Sequence, residues 1–483
     1  MEIEPGFIGR TFDDFLFRPR RGVVRSRGEV RLTTRLSTHV PLELPIVSAN
    51  MDSVTGAGMA RTMALEGGLG FVHRAMPIDA QAAEVERVKR SHGHVVEEPI
   101  VLPRDATLRE AREVIARHHI TGILIEETRD SGVLAGILSN RDMPWDESGG
   151  ERRIDELMTP FARMRVAAPD VDLHEAEKIL FENRIEKLPL VDADRRIRGL
   201  ITKSDLILAR RRPFSSKDAK GRLRVGAAIG ARGDFLERAA ELVSSGADAL
   251  LIDIAHGHSD VMRTAVEAVK RKHAGVDLVC GNVGTGEGAR FLRDLGVNAI
   301  KVGIGPGRGC RTRLETAAGV PQLQAIREAW CAVGEDIPIV ADGGAREDKD
   351  LFLALACGAS SVMLGSMLAG TDESPGTVIE DPATGRKHKL YRGMTSPQAV
   401  FQALYDGAGD DSALDTPAEG QEMEVPYKGS VVDVIHRIRG HLQSAVSYGG
   451  GRTLAEVRSE VVRDPLAHLV TLSDASRRES YER

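Results

Sequence analysis

Cysteine is scarce in this chain. Cys280, Cys310, Cys331 and Cys357 are the only four in 483 residues, and no two have the CxxC spacing of a metal or redox pair. No stretch approaches the roughly 18 apolar residues that span a bilayer. The opening residues MEIEPGFIGR lack the apolar core that follows a basic start in a signal peptide. A basic stripe is missing too. Formal charge is −6 with acids and bases interspersed, which argues against a dedicated nucleic-acid binder. The run Arg210-Arg211-Arg212 is short and reads as a solvated linker. These absences lead us to expect a cytoplasmic protein with free thiols and neither membrane nor nucleic-acid partners.

What is present is repetition of short apolar runs. Eight of them occur: Pro45–Asn50, Gly70–His73, Val225–Ile229, Ala249–Asp253, Leu278–Asn282, Ala299–Gly303, Ile337–Asp342 and Ser361–Ser366. Continuous apolar runs of this length suit strands buried on both faces of a parallel sheet. Most are separated by text with helical spacing, such as Asp234–Ser244 and Ser259–Lys272. The pattern predicts an α/β protein with a (β/α)₈ barrel. A doubly wound sheet is the alternative from pattern alone. Polar residues cluster just after the runs: Asn50, Asp253, Asn282, Cys310, Asp342 and Ser366. In a barrel these positions face the active site. Ending a strand explains any one of them but accounts poorly for six.

Cys280, Cys331 and Cys357 sit in apolar text and read as core residues. Cys310 does not. It lies in Gly303-Ile304-Gly305-Pro306-Gly307-Arg308-Gly309-Cys310-Arg311-Thr312, where bare backbone can approach a ligand. It is the best candidate nucleophile, since a thiolate is the strongest among ordinary side chains.

About 150 residues separate the second and third runs, far more than one crossover helix requires. This gap holds an internal repeat. Pro103–Ala111 matches Pro169–Ala176, and Gly136–Asp142 matches Gly199–Asp205, both at an offset of about 65 residues. The repeat resembles a tandem pair of CBS domains, which implies adenine or guanine nucleotide binding. By that resemblance Asp142 and Asp205 would meet the ribose, helped by Ser139 and Thr202. Each aspartate could equally cap the following helix. The expected organisation is residues 1–94 as the first part of the barrel, 95–212 as the inserted regulatory pair, and 213–483 as the remainder.

Further motifs narrow the field. Thr11-Phe12-Asp13-Asp14, Ser48–Thr55, Glu66–Phe71, Asp253–Ser259, Gly281-Asn282-Val283, the Cys310 loop, Ala341-Asp342-Gly343-Gly344 and Tyr391-Arg392-Gly393-Met394 follow one another in order. Together they resemble the IMP dehydrogenase/GMP reductase family nearly end to end. The resemblance implies that Cys310 attacks C2 of a 6-oxopurine nucleotide, GMP or IMP. Asp342 would hold the ribose. Gly343, Gly344, Gly365 and Ser366 would surround the phosphate. Tyr391, Gly393 and Met394 belong to the segment that would read the base. Asp253, Asn282, Gly303 and Gly305 would lie along a nicotinamide cofactor. Carbonyls of Gly305, Gly307 and Cys310 would offer a site to a monovalent cation such as K⁺. Relatives form tetramers that pair into octamers, so a homo-oligomer is expected.

The family contains two activities with one cysteine thioimidate intermediate. The dehydrogenase hydrolyses it with water activated by an Arg-Tyr pair on a flap. The reductase expels ammonia from GMP and reduces the adduct with NADPH, using a Thr and a Glu for the proton. No arginine occurs here between Arg392 and Arg437, and Tyr405 has no arginine neighbour. Glu419–Gly429, EGQEMEVPYKG, resembles the reductase pattern EGxxxEVPxKG. Cys310, Thr312 and Glu419 are therefore the expected catalytic residues, and NADPH the expected cofactor. Taken singly, Thr312 could be a helix N-cap and Glu419 a solvated loop acid. Some positions depart from the pattern. Arg308 replaces a phosphate-binding serine, a role that a bidentate guanidinium could take over. Arg311 replaces a threonine. His256-Gly257-His258 resembles the dehydrogenase loop. An IMP dehydrogenase, or a nucleotide sensor whose nucleophile is crowded by Arg308 and Arg311, remain as alternatives.

Overall fold

The structure, a computed structural model, describes residues 2–91, 96, 99–118, 120–144, 150–204, 206–207, 212–405 and 417–481. Asp205, Arg210 and Arg211 fall outside them. The chain divides into two compact units. One comprises 1–91, 214–218 and 223–483, the other 92–213 and 219–222.

Every one of the eight apolar runs becomes a strand of one closed parallel barrel, which excludes the doubly wound alternative. The strands are Ile46–Ser48, Leu69–Val72, Gly226–Ile229, Ala249–Asp253, Asp277–Val283, Ala299–Val302, Ile339–Asp342 and Ser361–Leu364. The eighth pairs with the first to close the ring. Alternation along each strand sorts its side chains. Val47, Phe71, Ala228, Leu251, Val279, Ala299, Val340 and Met363 pack together as one buried cluster. The neighbouring residues Ile46, Val72, Ile229, Ile252, Cys280, Ile300, Ile339 and Val362 belong to two other clusters, which include helix residues. Because side chains on a strand repeat every second residue, Asp253, Gly281, Lys301 and Asp342 continue the inward rows of Leu251, Val279, Ala299 and Val340.

Flanking helices such as Asp260–Lys272 bury one stripe, whereas Asp348–Ala356 is buried nearly all round, with Asp350 to Ala356 all buried. In Asp260–Lys272 the buried residues Met262, Ala265, Val266 and Val269 recur at helical spacing. Ser259 caps the start by accepting the Met262 N–H, and Lys270, Arg271 and Lys272 fill the last turn, where positive charge suits the helix dipole. Truncating a buried Met such as Met262 to Ala would cost about 2–5 kcal/mol. The chain ends close on each other: Phe15–Phe17 pairs antiparallel with Leu469–Thr471.

The second unit repeats one pattern. Val101–Pro103, the helix Leu108–His118, and the strands Gly122–Glu126 and Leu134–Ser139 form the first copy. In the second, the helix Leu173–Glu182 precedes Lys187–Val191 and Ile197–Thr202. Val101 lies beside Leu124 in parallel in the first copy, and Ala167 beside Leu190 in the second. Leu124, Leu134, Val191 and Leu200 form a core shared by the two copies.

Candidate active site

The strand ends at the mouth of the barrel carry a network of charges. Lys301, 2% exposed, donates to Asp253 Oδ1 at 2.8 Å, to Asn282 Oδ1 at 2.5 Å and to Asp342 Oδ2. Asn50 Nδ2 donates to Asp253 Oδ2 at 2.8 Å. Asn282 Nδ2 donates to Gly303 O at 2.6 Å and to Asp342 Oδ2 at 2.9 Å. Four of the six polar residues singled out after the apolar runs thus join one network. Burial works to raise the Asp253 carboxyl pKa, but the Lys301 ammonium and the Asn50 amide prevail and hold it below the ordinary value. For Lys301 burial pulls down, the two carboxylates push up, and the net result lies above the ordinary lysine value.

Cys310 is partly exposed, whereas the other three cysteines are buried. Burial raises the thiol pKa of Cys280, Cys331 and Cys357, that of Cys357 to about 12. Cys310 Sγ–H donates to Thr312 Oγ1 at 3.2 Å, and the Thr312 hydroxyl donates to Glu419 Oε2 at 2.6 Å. The capping alternative for Thr312 does not hold: Arg311 occupies the N-cap position and Thr312 is the first helical residue. Glu419 is half-buried and hydrogen-bonded, not a freely solvated loop acid.

Three glycines bring Glu419 to Thr312. Gly309, Gly393 and Gly420 belong to three different segments and meet at one crossing. A Cβ on Gly393 would stand 2.5 Å from Gly309 O, and one on Gly420 would stand 2.5 Å from Ser396 N. The backbone bonds Arg311 N to Glu419 O, Gln421 N to Gly309 O and Gly393 N to Gln421 O fasten the crossing. The register of Lys387–Arg392 against Glu422–Pro426, with Arg392 opposite Glu422, sets up this approach.

Several predicted substrate residues, Gly343, Gly344, Tyr391 and Gly393, border the same loop. Gly343 and Gly344 both have φ of +85°, and a Cβ on Gly343 would stand 3.1 Å from Gly307 N. Tyr391 is buried with its hydroxyl over Gly365, where an added Cβ would stand 2.9 Å from it. Burial and the Asp342 charge raise the phenol pKa. Met394 Sδ accepts the Asp52 N–H at 3.4 Å. Arg308 is exposed. Arg311 is turned onto Glu315 at 2.7 Å. The bare Cα positions of Gly303 and Gly305 are already faced by protein, Gly303 by Asp342 O and Gln322, Gly305 by the Arg313 side chain. Their lack of a side chain serves packing of the loop.

The profile of the "IMP dehydrogenase / GMP reductase domain" matches residues 9–482. The chain is a member of the IMP dehydrogenase/GMP reductase family. Among its relatives, an inosine-5'-monophosphate dehydrogenase of Nitrosopumilus maritimus is 44% identical over 457 residues, covering 93% of this chain and 94% of that protein. GMP reductases are among the similar solved structures. A GMP reductase variant from Trypanosoma brucei in complex with guanosine 5'-monophosphate superposes with a TM-score of 0.90 at 36% identity, covering 98% of this chain and 97% of that one. The reductase from the same organism in complex with guanosine 5'-triphosphate gives 0.79 at 33% identity, covering 96% and 98%.

Within this member of the IMP dehydrogenase/GMP reductase family, reading the sequence missed Lys301 and gave Lys428 no role. Lys301 could have been found: a lysine on the inward row of an apolar barrel strand demands partners. Lys428 Nζ donates to Ser366 O at 2.9 Å and Met367 O at 3.0 Å. Desolvation of that ammonium, with the nearby positive charges of Arg437 and Arg308, lowers its pKa to about 8. In the repeat unit, Asp142 Oδ2 accepts from Ser139 N at 2.8 Å and Ser139 Oγ at 2.7 Å, so its carboxylate turns back onto the end of the preceding strand and not forward as a helix N-cap would. Thr202 ends the strand Ile197–Thr202, and Asp205 lies outside the described residues. Among the described residues no group of three His, Cys, Asp or Glu side chains could hold a metal, and no helix is long and apolar enough to cross a membrane.

Proposed function

We propose that this chain is a GMP reductase, converting GMP to IMP and ammonia with NADPH in the cytoplasm. The observation that carries the reading is the relay from Cys310 through Thr312 to Glu419. In the first half-reaction Cys310 Sγ bonds to purine C2 and the bond from C2 to the amino group breaks. The thiol proton passes through the Thr312 hydroxyl to Glu419, which returns it to the departing nitrogen, so ammonia leaves and a thioimidate remains on Cys310. When bound, NADPH supplies the hydride that reduces C2. The C–S bond then breaks, giving IMP and the Cys310 thiolate. A positioned acid of this kind contributes about 10²–10⁴-fold.

The remaining assignments follow the placement of the residues. Asp342 takes the ribose hydroxyls, since both of its network bonds fall on Oδ2. Gly343, Gly344, Gly365 and Ser366 receive the phosphate, with Arg308 supplying charge in place of the missing serine. Gly393 and Met394 face the base, and Tyr391, whose hydroxyl lies over Gly365, binds the substrate on the phosphate side. Asp253 keeps 26% of its side chain exposed, which suits it, with Asn282, to accept hydroxyls of the cofactor. A monovalent cation fits the carbonyls of Gly305, Gly307 and Cys310, which are hard oxygen donors. Gly307 O already accepts the Cys310 N–H at 3.0 Å, yet a carbonyl has a second lone pair. A bound cation would stiffen the loop.

The deciding experiment mixes purified protein with GMP and NADPH. Loss of reduced-cofactor absorbance is expected. NADH production from IMP and NAD, without any reaction of GMP, would overturn the reading. Two observations favour that second outcome: relatives named IMP dehydrogenase, and the His256-Gly257-His258 loop. The sensor reading is weakened by Arg311, whose side chain pairs with Glu315 and so does not crowd the thiol. We further propose that the repeat unit is a tandem CBS pair binding ATP or GTP, and that the chain assembles as a tetramer or octamer. Asp142→Ala should leave basal turnover intact and remove any ATP or GTP effect; an unchanged effect would place the sensor elsewhere.

A further inference from the structure

No catalytic step above uses Lys301, yet the barrel is built around it. It occupies the inward row of the sixth strand, two residues after Ala299. Gly281 on the neighbouring strand makes the room: a Cβ there would stand 2.6 Å from Lys301 Cβ. An ammonium has three N–H bonds, and Asp253, Asn282 and Asp342 take one each. An apolar side chain would fill this layer without the penalty of desolvating a charge. A lysine retained solely for stability is therefore a poor choice here. Its two acidic partners are not sealed in. Asp253 and Asp342 keep 26% and 21% of their side chains exposed.

We propose that Lys301 is a positioning residue that serves both halves of the active site at once. Its single ammonium fixes Asp342 to accept the ribose hydroxyls of the purine nucleotide and Asp253 to accept hydroxyls of the nicotinamide cofactor. This rests on the ligand assignments of the reductase reading, but not on which of the two family reactions takes place. Each carboxylate is held in one orientation, and lone pairs outside the network remain for hydroxyl donors. The charged groups facing Lys301 are Asp253 and Asp342, and Arg74 adds positive charge near Asp253. Removing the ammonium would leave two carboxylates at the mouth without their shared cation, so both would be worse placed, and Asp253 would be more easily protonated.

The test uses the full chain with Lys301→Met and Lys301→Gln. Binding of GMP, IMP and NADP⁺ is measured by calorimetry, and KM and kcat for GMP and NADPH across acidic to mildly alkaline pH. We expect Lys301→Met to weaken nucleotide and cofactor together, each by about tenfold or more, with a smaller fall in kcat. Lys301→Gln, which can donate hydrogen bonds but carries no charge, should recover part of the affinity. In both variants the acid limb of kcat/KM for the cofactor should move to higher pH, because Asp253 loses the cation that holds its carboxyl low. Three results would overturn the proposal: weakening of one ligand alone, full recovery of both affinities with an unmoved acid limb in Lys301→Gln, or failure of Lys301→Gln to fold, which would mark a stability residue. If the wild-type protein oxidises IMP and ignores GMP, the reductase reading fails. The variants' affinities for IMP and cofactor would still decide the role of Lys301.

Discussion

The mouth of the barrel holds two polar clusters made in different ways. The Lys301 cluster draws Asn50, Asp253, Asn282 and Asp342 from the ends of four further strands, and its central charge is buried. The Cys310 relay hangs on loops. Thr312 opens a helix of five residues, and Glu419 arrives from a segment more than a hundred residues later, held by backbone bonds at a crossing of glycines. Strand ends are fixed by the barrel's own hydrogen bonds and can keep carboxylates in register without ligand. A group that must receive and return a proton needs room to adjust, and loops provide it. On the proposed function the difference is a division of labour: rigid strands would orient the ligands, and the loops would carry the chemistry.

Several changes would break or sharpen this comparison. Cys310→Ala should have the largest effect, lowering turnover by about 10³-fold or more, while calorimetry still detects GMP binding. Turnover retained in that variant would remove the nucleophile. Thr312→Val and Glu419→Gln should each lower kcat by about 10²–10⁴-fold with KM for GMP little changed. The double variant should be no worse than the poorer single one, because the two act in one relay; additive losses would separate them. Gly420→Ala touches no reacting atom but pushes on Ser396 N at the crossing. A shift of Glu419 by about 1 Å should lower kcat by roughly 10²-fold, and the overpacked crossing should lower stability by about 1–3 kcal/mol, read by thermal unfolding. The mildest effect belongs to Lys428. With its pKa near 8, the ammonium is charged below that value and neutral above it. Lys428 holds the carbonyls of Ser366 and Met367, beside the proposed phosphate site, so affinity for the nucleotide phosphate should fall as pH rises through about 8. Lys428→Met should flatten that limb and raise KM for GMP by about fivefold to tenfold.

The sequence by itself determined the eight buried strands, because strands buried on both faces must be written as continuous apolar runs, and all eight runs became strands; their closure into a barrel, against a doubly wound sheet, was decided by the tertiary structure. It also exposed Cys310, since a thiol among glycines has no packing role, and the repeat, since duplication leaves self-similarity at a fixed offset. Thr312 and Glu419 were legible only through a resemblance to a motif. Singly, each looks like an ordinary cap or loop acid. Tertiary structure alone decided that they touch. That contact depends on Gly309, Gly393 and Gly420 crossing at one point, and no local pattern encodes an approach between segments so far apart. Lys301 lay in plain view inside an apolar run, but its meaning required neighbours on adjacent strands. Side-chain alternation tells which residues point inward; only closing the barrel tells which of them meet.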